Sequence, residues 1–185
     1  MGKALKILLA GAAIVVVLAG VWYNRLISSR EEIKASWSQV ENVMQRRYDL
    51  IPNLVNTVKG YAKHERKLLS DIARLRTQWA GAKDPAGRAK ASTGLESALG
   101  RLMVVVENYP ALKANESFMK LQDELAGTEN RISVERMRYN EAVKGYNIAV
   151  QRFPGNLIAG ALGFTKVDSY YQSEQEAKKA PKVEF

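Results

Sequence analysis

Apolar residues recurring every seven positions constrain this chain more than any other feature. One row runs through Trp37, Met44, Ile51, Val58, Glu65, Ile72 and Trp79, and a second through Ile33, Val40, Arg47, Leu54, Tyr61, Leu68 and Leu75. Offset by three and four residues, the two rows lie side by side on an α-helix and make one seam. Only Arg47 and Glu65 interrupt it. From Tyr48 a third row joins, with Val55, Ala62 and Leu69, and widens the seam into a face that can touch two partners.

Within Asn24–Trp79 the strong breakers are Pro52 and Gly60. Proline removes one helical hydrogen bond and presses its ring on the carbonyl four residues back, here that of Tyr48. Both rows pass Pro52 without slipping phase, so the spacing predicts one kinked, continuous helix reaching Trp79. Residues 80–88, with Gly81, Asp84-Pro85 and Gly87, read as a loop. A second helix is expected from about Ala89 to Asn108, ended by Tyr109-Pro110. Asn115 is an N-cap for a third helix, with Glu116 at its positive dipole end. That helix is expected to reach Phe153, along the row Phe118, Leu125, Ile132, Tyr139, Tyr146 and Phe153, before Pro154-Gly155 stops it. The apolar NLIAGALGF at 156–164 is too short to span a bilayer. It can cap the bundle end, dip into a membrane interface or contact a partner.

Residues 7–23, ILLAGAAIVVVLAGVWY, carry no charge, and Trp22 and Tyr23 sit where an interfacial aromatic belt belongs. The run exceeds the usual apolar core of a signal peptide and lacks a good cleavage site, which favours a retained anchor. The net charge of +9 is unevenly spread. Residues 1–30 hold four basic residues and no acid, and residues 31–79 hold nine basic against six acidic. The excess gathers around the apolar run, where anionic headgroups are the nearest counter-charge, and this argues against a nucleic-acid partner. Basic residues flank both ends of the run, so charge alone chooses no orientation. With no Cys and one His, a disulfide framework and thiolate metal sites are excluded.

The fold class that follows is all-α. An N-terminal transmembrane helix (1–27) precedes an elongated up-and-down helical bundle (28–164) of three long helices with a short fourth. A polar tail, 165–185, is expected to be mobile beyond Glu174. The chain also resembles the LemA family of bacterial membrane proteins. The resemblance lies in YNRL (23–26), WSQVENVMQRRYDLIPNLVNTVKGYAKHE (37–65), ENYPALKANESFMKLQDEL (107–125), TENRI (128–132), RYNEAVKGYN (138–147) and FPGNLIAGALGF (153–164). It implies an N-terminal transmembrane helix, a helical bundle and a short N-terminus outside the cytoplasm, with no established catalytic activity.

The polar interruptions are where chemistry could sit. Arg47, Asp49, Glu65, Glu129, Arg131, Glu135 and Arg136 are expected to form a structural polar layer that sets helix register, because a buried charge must find a partner. A carboxylate metal site would want paired Glu-x-x-His motifs, and His64 has Tyr61 three residues before it instead. Trp37, Tyr48, Tyr61, Tyr139 and Tyr146 read as bundle core or interface, the phenols pairing with residues such as Asn140 and Asn147. No phosphate loop or nucleophile triad is present. No cofactor and no catalytic residue is therefore expected.

The second helix is shorter than its neighbours, which leaves apolar rows to be covered by another copy. The expectation is a non-enzymatic, single-pass protein of the bacterial inner membrane. Its partners are the lipid bilayer, a second copy of itself and an envelope protein, and it acts as a scaffold or assembly module. The rival readings are an accessory subunit recruiting an envelope protease or phosphatase-like enzyme, and a metal-dependent hydrolase using the Glu/Arg layer.

Overall fold

In the computed structural model, residues 2–82 and 85–171 are described, and every regular element among them is helical. In chain order these are α1 (Lys3–Tyr61), α2 (Arg66–Gly81), α3 (Pro85–Val106), α4 (Pro110–Lys113), α5 (Glu116–Gln151) and α6 (Gly155–Leu162). The fold is all-α, as the sequence predicts, but the helices are cut differently.

The long first helix does pass through Pro52. It does not reach Trp79. It ends at Tyr61, just after Gly60, whose helix propensity is about 1 kcal/mol worse than that of alanine. Ala62 to Glu65 then form a turn, in which the Glu65 amide donates to the Ala62 carbonyl at 3.1 Å. The chain folds back there, so that Trp79 near the end of α2 lies edge-on against Tyr48 of α1 with ring centroids 4.2 Å apart. The heptad rows hid this reversal for a simple reason. A four-residue turn is close to one helical turn of about 3.6 residues, so the count in sevens emerges on α2 in phase.

Three further boundaries differ. Residues expected as a loop include the start of α3, because Pro85 opens the helix: at the first helical position its missing N–H costs nothing and its φ is already suitable. At the other end α3 stops at Val106, with the Tyr109 amide closing on the Val106 carbonyl at 2.9 Å. The cap of α5 is as expected, since Asn115 Oδ1 accepts the Phe118 amide at 3.0 Å. That helix ends at Gln151 and not at Phe153, which is 73% exposed and leaves the apolar row. A cis peptide joins Phe153 to Pro154.

The residues group into two compact units. One comprises the chain as far as Gln39 together with Glu135–Tyr170, and the other Val40–Val134 with Tyr171. In the first, the core joins Leu26 of α1 to Tyr146, Ala149 and Val150 of α5 and Ala159 of α6, with Ile33, Ile158, Phe164 and Val167 packed around it. In the second, Val40, Met44, Ile51, Leu54 and Val58 of α1 are buried, as are Ile72 of α2, Leu95 and Leu102 of α3, and Phe118 and Ile132 of α5. Where α2 packs on α3, a Cβ on Gly94 would meet Leu75 Cδ2 at 3.0 Å. The expected mobility of the tail beyond Glu174 lies outside the described residues.

Candidate functional site

The first unit carries the feature with the clearest physical consequence. Ile7, Leu8, Ile14, Val15, Val16 and Val17 of α1 are all more than half exposed. Among the described residues α1 alone is long and apolar enough to cross a membrane, and none of its most apolar stretch is buried by them. Water would penalise that surface by roughly 25 cal/mol for each Å². At the end of this stretch Arg25 lies over the Trp22 ring, 5.1 Å from its centroid. Tyr23 meets Phe164 edge-on at 6.1 Å, and α6 packs beside them. Gly155, the first residue of α6, has no room for a side chain: a Cβ would come within 2.1 Å of the Ala149 carbonyl oxygen and 3.1 Å of the Trp22 ring. Glycine is required there by close approach.

The same unit holds residues 165–170 against α5 through side chains. Asn147 uses both ends of its amide on one residue, donating from Nδ2 to the Val167 carbonyl and accepting the Val167 amide at Oδ1, each at 2.8 Å. The Tyr146 hydroxyl donates to the Thr165 carbonyl at 3.0 Å, and that of Tyr139 to the Ser169 carbonyl at 2.8 Å. Burial pushes the Tyr139 phenol above its usual range. The phenols of these two tyrosines thus serve main-chain carbonyls of the following segment, while Asn147, expected as a phenol partner, donates to the Tyr170 hydroxyl at 3.1 Å. Trp37 rests edge-on against Tyr139, with centroids 5.3 Å apart.

In the second unit Arg47, the charged residue on the apolar seam, is buried and ion-paired with Glu129. Beside it, burial drives the Tyr48 phenol up to about 12, with Ser92 hydrogen-bonding the hydroxyl and opposing the shift. Ser92 in turn donates to Glu96 Oε1 at 3.0 Å. Arg47, Glu96, Leu99, Met103, Leu125 and Glu129 line a cleft of about 380 Å³. Its polar groups are partnered: Arg47 is ion-paired with Glu129, and Glu96 accepts from the Ser92 hydroxyl. Arg88 ties three helices together, pairing with Glu41, donating to the Ala82 carbonyl at 3.1 Å and lying over the Trp79 ring at 5.3 Å.

The remaining members of the expected polar layer are placed otherwise. Asp49 is exposed and accepts from Gln45 Nε2 at 2.8 Å, and Arg131 is exposed. Glu65 sits in the turn after α1, where the Tyr109 hydroxyl reaches it at 3.3 Å. Glu135 bonds Arg138 one turn along α5 at 2.8 Å, and Arg136 is half-buried. Tyr61, expected in the core or an interface, is 43% exposed and accepts from Asn115 Nδ2 at 3.0 Å. His64 is exposed in the turn. Among the described residues no group of three or more His, Asp or Glu side chains comes together as a metal ion would need. Asn147, Gly155, Arg76 and Arg88 carry more of the structure than their types in the sequence suggest.

An all-α chain with one uncovered apolar helical stretch, running straight into packed helices, is the class that these observations define. The model of the LemA family matches residues 36–185, and the chain belongs to that family. It is similar to the magnetosome protein MamQ 2 of Paramagnetospirillum magneticum, with 30% identity covering 82% of this chain and 65% of that protein. MamQ of Magnetospirillum gryphiswaldense shows 27% identity over 81% of this chain and likewise 65% of its own length. The protein LemA of Metamycoplasma hominis is 25% identical, covering 83% of this chain and 70% of that protein. The chain thus spans slightly under two thirds of the magnetosome relatives.

Proposed function

We propose that this protein is a non-enzymatic, single-pass module of the bacterial inner membrane, in which α1 is both the anchor and the first helix of the packed domain. The observation that carries the reading is the uncovered apolar stretch of α1, continuous by helical hydrogen bonding with residues as far as Tyr61. An anchor built into a helix of the first packed unit suits a scaffold better than an enzyme, since it fixes that unit at the bilayer. Two of the relatives above are named magnetosome proteins.

Self-association belongs to the same reading, but not through the heptad seam. Val40, Met44, Ile51, Leu54, Val58 and Ile132 are covered within the chain, so a second copy has to use other surface. Mass photometry in detergent, with cross-linking in intact membranes, tests this. Discrete oligomers are expected, and a monomer under both conditions would overturn it. Stoichiometric co-purification of an envelope protease or phosphatase-like enzyme with such a monomer would favour the accessory-subunit reading instead.

A further inference from the structure

The short helix α6 is two-faced. Gly155 and Ala159 are buried and Ile158 is half-buried against α1 and α5, whereas Leu157 is 64% and Leu162 54% exposed, with Phe153 just before them at 73%. No residue of α6 is charged. Its place in the unit fixes what surrounds that outward face. The first turn of α6 presses on Trp22, and Phe164 just beyond it meets Tyr23, the two aromatics that close the apolar stretch. The core contact at Leu26 lies only about 4.5 Å further along α1. Interfacial helices bury their apolar face about 5–10 Å into the headgroup–acyl boundary, so α6 sits at the depth where such a face is covered by lipid. Exposed Arg25 and Arg152 lie next to the patch in sequence or space, where they complement headgroup phosphates.

We infer that α6 is an interfacial helix whose outward residues Phe153, Leu157 and Leu162 enter the leaflet from which α1 emerges. The inference rests on the anchoring reading above. It gives the protein a second, in-plane attachment that stops the domain from rotating freely about a single span.

The chain has no cysteine, so single-cysteine variants of the full protein can each carry one polarity-sensitive fluorophore. The variants are Leu157→Cys, Leu162→Cys, Val16→Cys within the span, and Met137→Cys on the exposed surface of the same unit. Each is reconstituted in phosphatidylcholine–phosphatidylglycerol nanodiscs containing lipids spin-labelled near the headgroup or deep in the chain. Labels at 157 and 162 are expected to shift to the blue and to lose intensity most with the shallow quencher. The label at 16 should respond most to the deep quencher, and the one at 137 to neither. If 16 is quenched while 157 and 162 behave like 137, the interfacial role is overturned and the anchor stands. A blue shift at 157 and 162 without quenching by lipid means a protein covers the patch, which also overturns it. If 16 is unquenched, the anchor reading fails and takes this inference with it.

Discussion

Arg76 Nε donates to the main-chain carbonyl of Tyr48 at 3.0 Å. That carbonyl is the one whose helical partner Pro52 removes, because proline has no N–H to offer four residues on. A side chain on α2 thus supplies the hydrogen bond that α1 lacks, at the point where the returning helix packs. Arg76→Ala is expected to destabilise the domain by about 1.5–3 kcal/mol, the range for a bond to a charged donor. In a Pro52→Ala background the loss should shrink, since an alanine there restores the N–H. Urea unfolding of the four proteins checks this; equal losses in both backgrounds would uncouple Arg76 from the proline.

The ion pair of Arg47 and Glu129 should behave as a buried charge satisfied by a half-exposed one. Arg47 has a side chain only 9% exposed, against 43% for Glu129. Removing the acid alone takes the ion-pair partner from a buried guanidinium, and Glu129→Ala is expected to cost about 1–3 kcal/mol, below the full value for a wholly buried pair because solvent screens the exposed partner. Replacing both with methionine should recover most of that loss. Thermal melts of the single and double variants give the comparison.

Alkaline pH should unfold the protein partly through Tyr48. Its folded value of about 12 lies above the unfolded value of 10.0, so the neutral phenol is favoured by folding. The stability it contributes is complete below pH 10 and is lost as pH rises through about 12, amounting to about 3 kcal/mol. Tyr48→Phe should show a shallower decline of stability across that window. Denaturant midpoints measured from pH 9 to 12 test it, and parallel curves for the two proteins would contradict the assignment.

Asn147 holds the segment after α6 by a two-point amide contact with Val167. Asn147→Ala removes both the donor to the Val167 carbonyl and the acceptor of the Val167 amide. Hydrogen exchange at the Val167 amide is expected to accelerate by at least tenfold, corresponding to a loss of about 1.4 kcal/mol or more, while amides in the second unit keep their protection. Unchanged exchange would show that the tyrosine hydroxyls alone retain the segment.

Much of this architecture can be read from residue spacing, and the rest fails for identifiable reasons. Met44, Ile51, Val58 and Ile132 are buried as the seven-residue rows require. The same rows cannot reveal the reversal at residues 62–65, because a turn as long as one helical turn leaves the phase intact. Pro85 is ambiguous in sequence, since proline both breaks helices and begins them. Arg47 announces its need for a partner by sitting on an apolar seam, but the choice of Glu129 depends on how α5 is placed. For Arg76 the signal is half visible: Pro52 leaves a carbonyl wanting, and nothing in the spacing names the donor. Gly155 looks like a helix stop and proves to be a close approach demanded by the Ala149 carbonyl, with the Trp22 ring beside it.

The claim on which the functional account turns is that the uncovered stretch of α1 holds the packed helices to a bilayer, and alkaline carbonate extraction of bacterial membranes carrying the full chain tests it most directly. The account predicts that the protein stays with the membrane pellet, and that a Val15→Asp/Val17→Asp variant moves to the supernatant with its melting transition unchanged. Release of the unaltered chain into the carbonate supernatant would contradict it.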